Sequence, residues 1–185
     1  MSRSIWLLVR QHGRLVALVM ALGAAGLVLL AIVLTRLLSL DPCHLCIFQR
    51  VIDLAIAVVL LAACWGWQRS SLRLGGLALG ALFSVGGLAV AGHQSWLQWF
   101  PETSFGCSGG PPGAIEQLVE WLGQQSPMLF LATGFCESKE LVILSLSLAN
   151  WSFISYAALF VGSATLLVFS ARERKLVLKN VECQQ

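Results

Sequence analysis

Two cysteines separated by two residues stand in the segment Asp41-Pro42-Cys43-His44-Leu45-Cys46-Ile47-Phe48-Gln49-Arg50. Thiols at this spacing can make and break a disulfide, can form half of a zinc site, or can anchor a haem. Haem attachment needs His directly after the second Cys, and Ile47 stands there. A zinc site would have to draw further ligands from Cys107, Cys136, His44 or His93. The redox reading has its own physical basis. Asp41 as cap and Pro42 in the first turn predict that the pair opens a helix. The partial positive charge of a helix N-terminus favours the thiolate, which is the species that attacks disulfides. Arg50 lies four residues after Cys46, on the same helical face one turn deeper. A guanidinium at the edge of hydrocarbon is costly and needs a partner. It either snorkels to the surface or pairs with Asp53, or it stabilises negative charge on Cys46 and on a bound electron acceptor.

Cys107 and Cys136 are the next pair, with 28 residues between them. Gly106, Ser108, Gly109 and Gly110 surround Cys107 with small residues, so its sulfur should be accessible and the stretch after it mobile. A purely structural staple of the loop remains the other reading. Cys64 and Cys183 have no such surroundings and read as a packed residue and a tail thiol.

The elements that must carry these residues follow from composition. Of the 185 residues, 57% are hydrophobic and 11% charged, far from the balance of a water-soluble globule. A net charge of +3 does not point to nucleic acid. Four apolar stretches, at about residues 15–40, 47–67, 72–92 and 151–170, are each long enough to cross a bilayer. The first exceeds the apolar core of a signal peptide and lacks an evident cleavage site, so it reads as a retained anchor. Nine of the twelve Lys and Arg (Arg3, Arg10, Arg14, Arg69, Arg73, Arg172, Arg174, Lys175 and Lys179) fall at the two termini and in the second-to-third turn. The positive-inside rule makes those segments cytoplasmic and turns residues 39–46 and 94–150 outward. Cys43, Cys46, Cys107 and Cys136 then lie on the side where disulfides persist, and Cys64 and Cys183 toward the reducing side.

The expected fold is all-α: a single integral membrane domain over residues 1–185, a four-helix transmembrane bundle with both termini cytoplasmic. Gly76, Gly80 and Ser84 give the third helix a small-residue stripe for close packing. The outer loop opens with Trp96, Trp99 and Phe100, residues of a membrane-interface belt. Within it Ile115, Leu118, Val119 and Leu122 recur with helical period, predicting a short amphipathic helix on the bilayer surface or on the bundle top.

The chain resembles the disulfide bond formation protein B (DsbB) family over nearly its whole length. The resemblance rests on four apolar helices, CxxC with Arg at the fourth following position, and a long outer loop with two cysteines. Leu97-Gln98, Phe100-Pro101 and Ala132-Thr133-Gly134-Phe135-Cys136 add to it. Family members often carry Glu before the Arg, where this chain has Gln49. The resemblance implies a thiol:quinone oxidoreductase of the bacterial inner membrane, disulfide-generating, that reoxidises a periplasmic thioredoxin-fold (DsbA-like) thiol oxidase and reduces a membrane quinone (ubiquinone or menaquinone). It implies disulfides Cys43–Cys46 and Cys107–Cys136, with Cys46 nearest the quinone and Cys107 attacked by the partner. Arg50 and His93 would contact the quinone, and no metal is implied. The known potential of such a thiol oxidase, about −120 mV, demands a strongly oxidising acceptor. A vitamin K epoxide reductase-like enzyme would place its loop cysteines before the membrane CxxC, whereas here they follow. A disulfide-stapled membrane scaffold is the alternative outside enzymology.

Overall fold

No charged residue interrupts positions 15–35, and nothing in that run breaks a helix. In the computed structural model, which describes residues 3–100, 113–134, 136 and 141–182, this run forms the body of α1 (Arg3–Leu37). Three more long helices follow, α2 (His44–Trp65), α3 (Ser70–Trp99) and α6 (Leu148–Glu182). The shortest of the four, α2, has 22 residues and rises about 33 Å, enough for about 30 Å of hydrocarbon. All four are long and apolar enough to span a membrane.

The helices close into a ring in which α1 meets α2, α2 meets α3, α3 meets α6, and α6 returns to α1 along the least extensive seam. Small residues set the close approaches. A Cβ on Gly76 would sit 2.7 Å from the Val59 carbonyl oxygen of α2, and Gly87 lies flat against the ring of Tyr156. The interior is filled by Ile56, Leu60, Leu77, Ala91 and Tyr156, with Ala17, Ala21 and Ala24 of α1. Leu15, Val19, Leu22, Leu29, Leu82 and Val161 point outward and are exposed. An apolar exterior around a small-residue interior is what a lipid solvent selects. The molecule is a multi-pass membrane protein.

The two ends differ. At one, Arg73 of α3 pairs with Glu173 of α6 at 3.6 Å and lies over the Trp67 ring. Cys64 is at this basic end, its thiol 3.6 Å from the Arg14 carbonyl oxygen. At the other, α4 (Ala114–Gln125) and α5 (Pro127–Phe130) connect α3 to a two-stranded hairpin, β1 (Val142–Ile143) and β2 (Leu146–Ser147). In α4, Val119 is buried while Leu118 and Trp121 are exposed. The hairpin qualifies the all-α expectation. Leu144 and Ser145 both take positive φ (52° and 66°), the primed turn that suits a tight hairpin. Strands of two residues carry no alternation for sequence analysis to detect. Cys107, the Gly- and Pro-rich stretch that follows it up to Pro112, and Cys183 lie outside the described residues.

Candidate functional site

Cys43 is itself the N-cap of α2, with extended backbone (φ −81°, ψ 169°) and its sulfur accepting from the Cys46 amide at 3.4 Å. This corrects the expectation that Asp41 caps and Pro42 opens the helix. Both are engaged elsewhere: the Pro42 carbonyl accepts from the amides of Thr133 and Gly134 at 3.0 and 3.2 Å. The Thr133 hydroxyl donates to the Asp41 carboxylate at 2.8 Å. Gly134 packs so tightly on the Asp41 carbonyl that no Cβ fits. This clasp holds the approach to Cys136 against the CxxC.

The result is a group of three sulfurs, of which Cys43 and Cys136 are buried and Cys46 is half-buried. Cys43 and Cys136 are 2% and 6% exposed, and both pack with Leu97 and Leu45. The Cys43 thiol lies 3.1 Å from the Cys46 sulfur, longer than the ~2.05 Å of a disulfide but in direct contact. Cys43 is also within hydrogen-bond reach of Cys136. Sharing its proton with Cys136 and Cys46, together with burial, pushes the Cys43 thiol well above the ordinary thiol range. Cys43 therefore keeps its proton at neutral pH, which leaves Cys46 as the sulfur suited to attack.

Cys46 has a dedicated donor. The Gln94 side-chain amide of α3 donates to the Cys46 sulfur at 3.0 Å and reaches the Cys43 sulfur at 3.5 Å. The Gln94 carbonyl in turn accepts from the Gln49 amide at 2.7 Å. Gln49 thus fixes the orientation of Gln94. Tyr156 of α6 closes the chain by donating to the Gln49 backbone carbonyl at 2.9 Å. His93, expected at the site, is exposed and does not line the cavity; its neighbour Gln94 is 3% exposed and does. The signal was available. The inward stripe Gly80, Ser84, Gly87 and Ala91 continues at helical spacing to Gln94 and not to His93.

Arg50 is buried and does not pair with Asp53. Its guanidinium donates to Thr35 Oγ1 at 2.6 Å, the Leu129 carbonyl at 3.3 Å and the Ala31 carbonyl at 3.5 Å. It does not snorkel into solvent; it ties α1, α2 and α5 together around a cavity of about 550 Å³. Cys43, Cys46, Gln49, Arg50, Asp53 and Gln94 supply the polar wall of that cavity. Leu27, Leu30, Leu34, Ile154 and Ala158 of α1 and α6 supply an apolar one. Polar groups gathered at one end of an apolar cleft suit a flat apolar ring bearing oxygens at its edge and an alkyl tail.

Arg50→Lys keeps the charge and loses the planar fork. If Arg50 stabilises charge on the acceptor, Arg50→Ala should raise the apparent KM for a soluble quinone about tenfold, and Arg50→Lys by less. Steady-state kinetics of both variants would check this. Equal loss of kcat and of folded protein in both would assign Arg50 to helix packing alone.

A helical membrane bundle that holds a cysteine pair beside a third cysteine from a loop is a protein of thiol–disulfide chemistry at a lipid boundary. The family model of disulfide bond formation protein DsbB matches residues 13–166. The chain belongs to the DsbB family. It is 42% identical over 149 residues to disulfide bond formation protein B of Dechloromonas aromatica, covering 80% of this chain and 88% of the relative. It is 35% identical over 162 residues to that of Polaromonas naphthalenivorans, with 87% and 94% covered. The relative from Nitrosomonas eutropha is 37% identical over 150 residues, with 78% and 88% covered. Membership makes the protein a membrane oxidoreductase of disulfide bond formation.

Proposed function

We propose that this protein takes electrons from a reduced thioredoxin-fold thiol oxidase of the periplasm and delivers them to a quinone of the inner membrane. The sulfur end of the bundle faces the periplasm, and the basic end with both termini faces the cytoplasm. The observation that supports the reading most is the continuity of the sulfurs. Cys136 abuts Cys43, Cys43 abuts Cys46, and Cys46 lines the cavity beside Gln94 and Arg50.

The electron route runs in four exchanges. A partner thiolate attacks Cys107 of the Cys107–Cys136 disulfide, and Cys136 leaves as the thiolate. The partner's second thiol resolves the mixed disulfide, so the partner is oxidised and the loop pair reduced. Cys136 then attacks Cys43 of the Cys43–Cys46 disulfide, releasing Cys46 as the thiolate, and Cys107 resolves the Cys136–Cys43 bond, which re-forms the loop disulfide and leaves Cys43 as the thiol. Gln94 donates to that sulfur and holds it toward the cavity, while Arg50 stands one turn away to neutralise negative charge. The quinone supplies the two-electron oxidising power that restores the Cys43–Cys46 disulfide.

The direct test combines the purified protein, a reduced thioredoxin-fold oxidase and a soluble quinone, with quinone absorbance as readout. Loss of absorbance that requires all three components is the expected result; stable disulfides without quinone consumption would favour the stapled scaffold. A partner lacking its resolving cysteine should accumulate as an adduct on Cys107, identified by mass spectrometry. An adduct on Cys43 would show that the partner docks on the CxxC itself and that the loop pair is a staple.

A further inference from the structure

One half-buried ionisable group lies in the cavity wall and has no part in the sulfur chemistry. Asp53 sits seven residues after Cys46 and three after Arg50, so Cys46, Arg50 and Asp53 form one line along α2 facing the cavity. Its Oδ1 is buried and has no hydrogen-bond partner. Its carboxyl is also within hydrogen-bond reach of the Tyr156 hydroxyl, which donates to the Gln49 carbonyl at 2.9 Å. The Arg50 guanidinium, the nearest cation on α2, is turned toward Thr35, Leu129 and Ala31. The α1 wall contributes Leu27, Leu30 and Thr35, the α3 wall Gln94 and Gln98, and the α6 wall Ser152 and Ser155. The titratable groups lining the cavity are thus Asp41, Cys43, Cys46, Arg50 and Asp53, with Tyr156 behind. An ionised carboxyl with no cation beside it is costly in such a place, whereas a protonated one is a hydrogen-bond donor that faces the cavity.

We propose that Asp53 is the acid that supplies the second proton to the quinone, a reading that rests on the quinone assignment above. Reduction of a quinone to a hydroquinone takes two electrons and two protons. The thiolate of Cys46 and the thiol of Cys43 supply both electrons but only one proton. With Asp53 the balance closes: Cys43 thiol, Cys46 thiolate, protonated Asp53 and quinone give the Cys43–Cys46 disulfide, the Asp53 carboxylate and hydroquinone. The carboxylate is reloaded on the next cycle. The loop pair brings one proton, on Cys107, which passes to Cys43 as Cys107 resolves the Cys136–Cys43 bond, and Asp53 takes its own from periplasmic water. Arg50 and Asp53, a turn apart on α2, serve opposite needs: the first stabilises charge as it develops and the second removes it.

The test uses the full-length protein in lipid. Asp53→Asn should lower kcat for quinone reduction about 100-fold, the range for loss of a general acid. The KM for quinone should change little, and Asp53→Glu should recover much of the rate. A readout independent of turnover comes from Cys46→Ser protein, which cannot pass electrons. Its infrared spectrum should contain a protonated-carboxyl band that shifts when ubiquinone-1 is added, that is missing after Asp53→Asn, and that moves after Asp53→Glu. Full kcat in the Asn variant, a loss confined to KM, or a carboxyl band indifferent to ubiquinone-1 would each overturn the role of Asp53. Wild-type protein that consumes no quinone would instead overturn the quinone assignment, and this inference with it.

Discussion

Cys46→Ser protein should insert and fold normally, and its rate of quinone reduction should fall at least about 1,000-fold, equivalent to about 4 kcal/mol of barrier. The serine hydroxyl is nearly isosteric, so the Gln94 amide and the α2 packing keep a partner of similar size. Chemistry is what changes. A hydroxyl gives up its proton far less readily than a thiol and cannot form a disulfide, so neither attack nor electron release is available. Cys43→Ser should be equally inactive for a different reason. Cys43 holds the proton, through its contacts with Cys136 and Cys46 and its burial, and it is the atom to which Cys46 must bond. Thermal melting and quinone absorbance would be measured on both variants. Wild-type turnover by either would remove the CxxC from the electron path.

A methyl group at Gly134 should separate the two halves of the reaction. The Asp41 carbonyl occupies the space a Cβ would need, and the flanking amides of Thr133 and Gly134 are both committed to Pro42. Overpacking of this kind costs about 1–3 kcal/mol, enough to open a clasp built from three hydrogen bonds on a loop. Gly134→Ala should therefore withdraw Cys136 from Cys43. Quinone reduction driven by a protein partner should drop about 10- to 100-fold, while reduction driven by a small dithiol such as dithiothreitol, which can reach the CxxC without the loop, should be largely retained. Equal rates with both donors would mean that the clasp has no part in electron transfer. Parallel loss with both would place the damage in the bundle itself.

The features legible in the sequence are those set by local composition or short spacing. Four apolar helices follow from hydropathy, and Cys43, Cys46 and Arg50 fall on one face because they lie on one helix. Gln94 was within reach but required the phase of α3 to be carried past Ala91, and histidine is the more conspicuous side chain. The proximity of Cys136 to Cys43 was not legible as geometry. It depends on backbone amides of Thr133 and Gly134 meeting a carbonyl 91 and 92 residues earlier, and amides and carbonyls are the same at every position. The same contact explains why Asp41 fails to cap α2: its carboxylate is taken by Thr133, and the Cys43 sulfur fills the capping position. The role of Arg50 as a tie between three helices was hidden too, because Thr35 and Leu129 are distant in the chain.

The apolar wall of the cavity runs between α1 and α6, the least extensive of the helix seams, and Leu27, Leu30 and Ile154 on its rim are exposed on the flank of the bundle. An acceptor entering there arrives sideways, from among the acyl chains, and never crosses water. The quantity that governs saturation is then its mole fraction in the bilayer rather than its molarity in the tube. Adding inert lipid or detergent at constant total quinone should slow the reaction by surface dilution, even though every bulk concentration but that of the diluent is unchanged. Two laboratories using different amounts of detergent should report different KM values for the same protein and agree once both express them per lipid molecule.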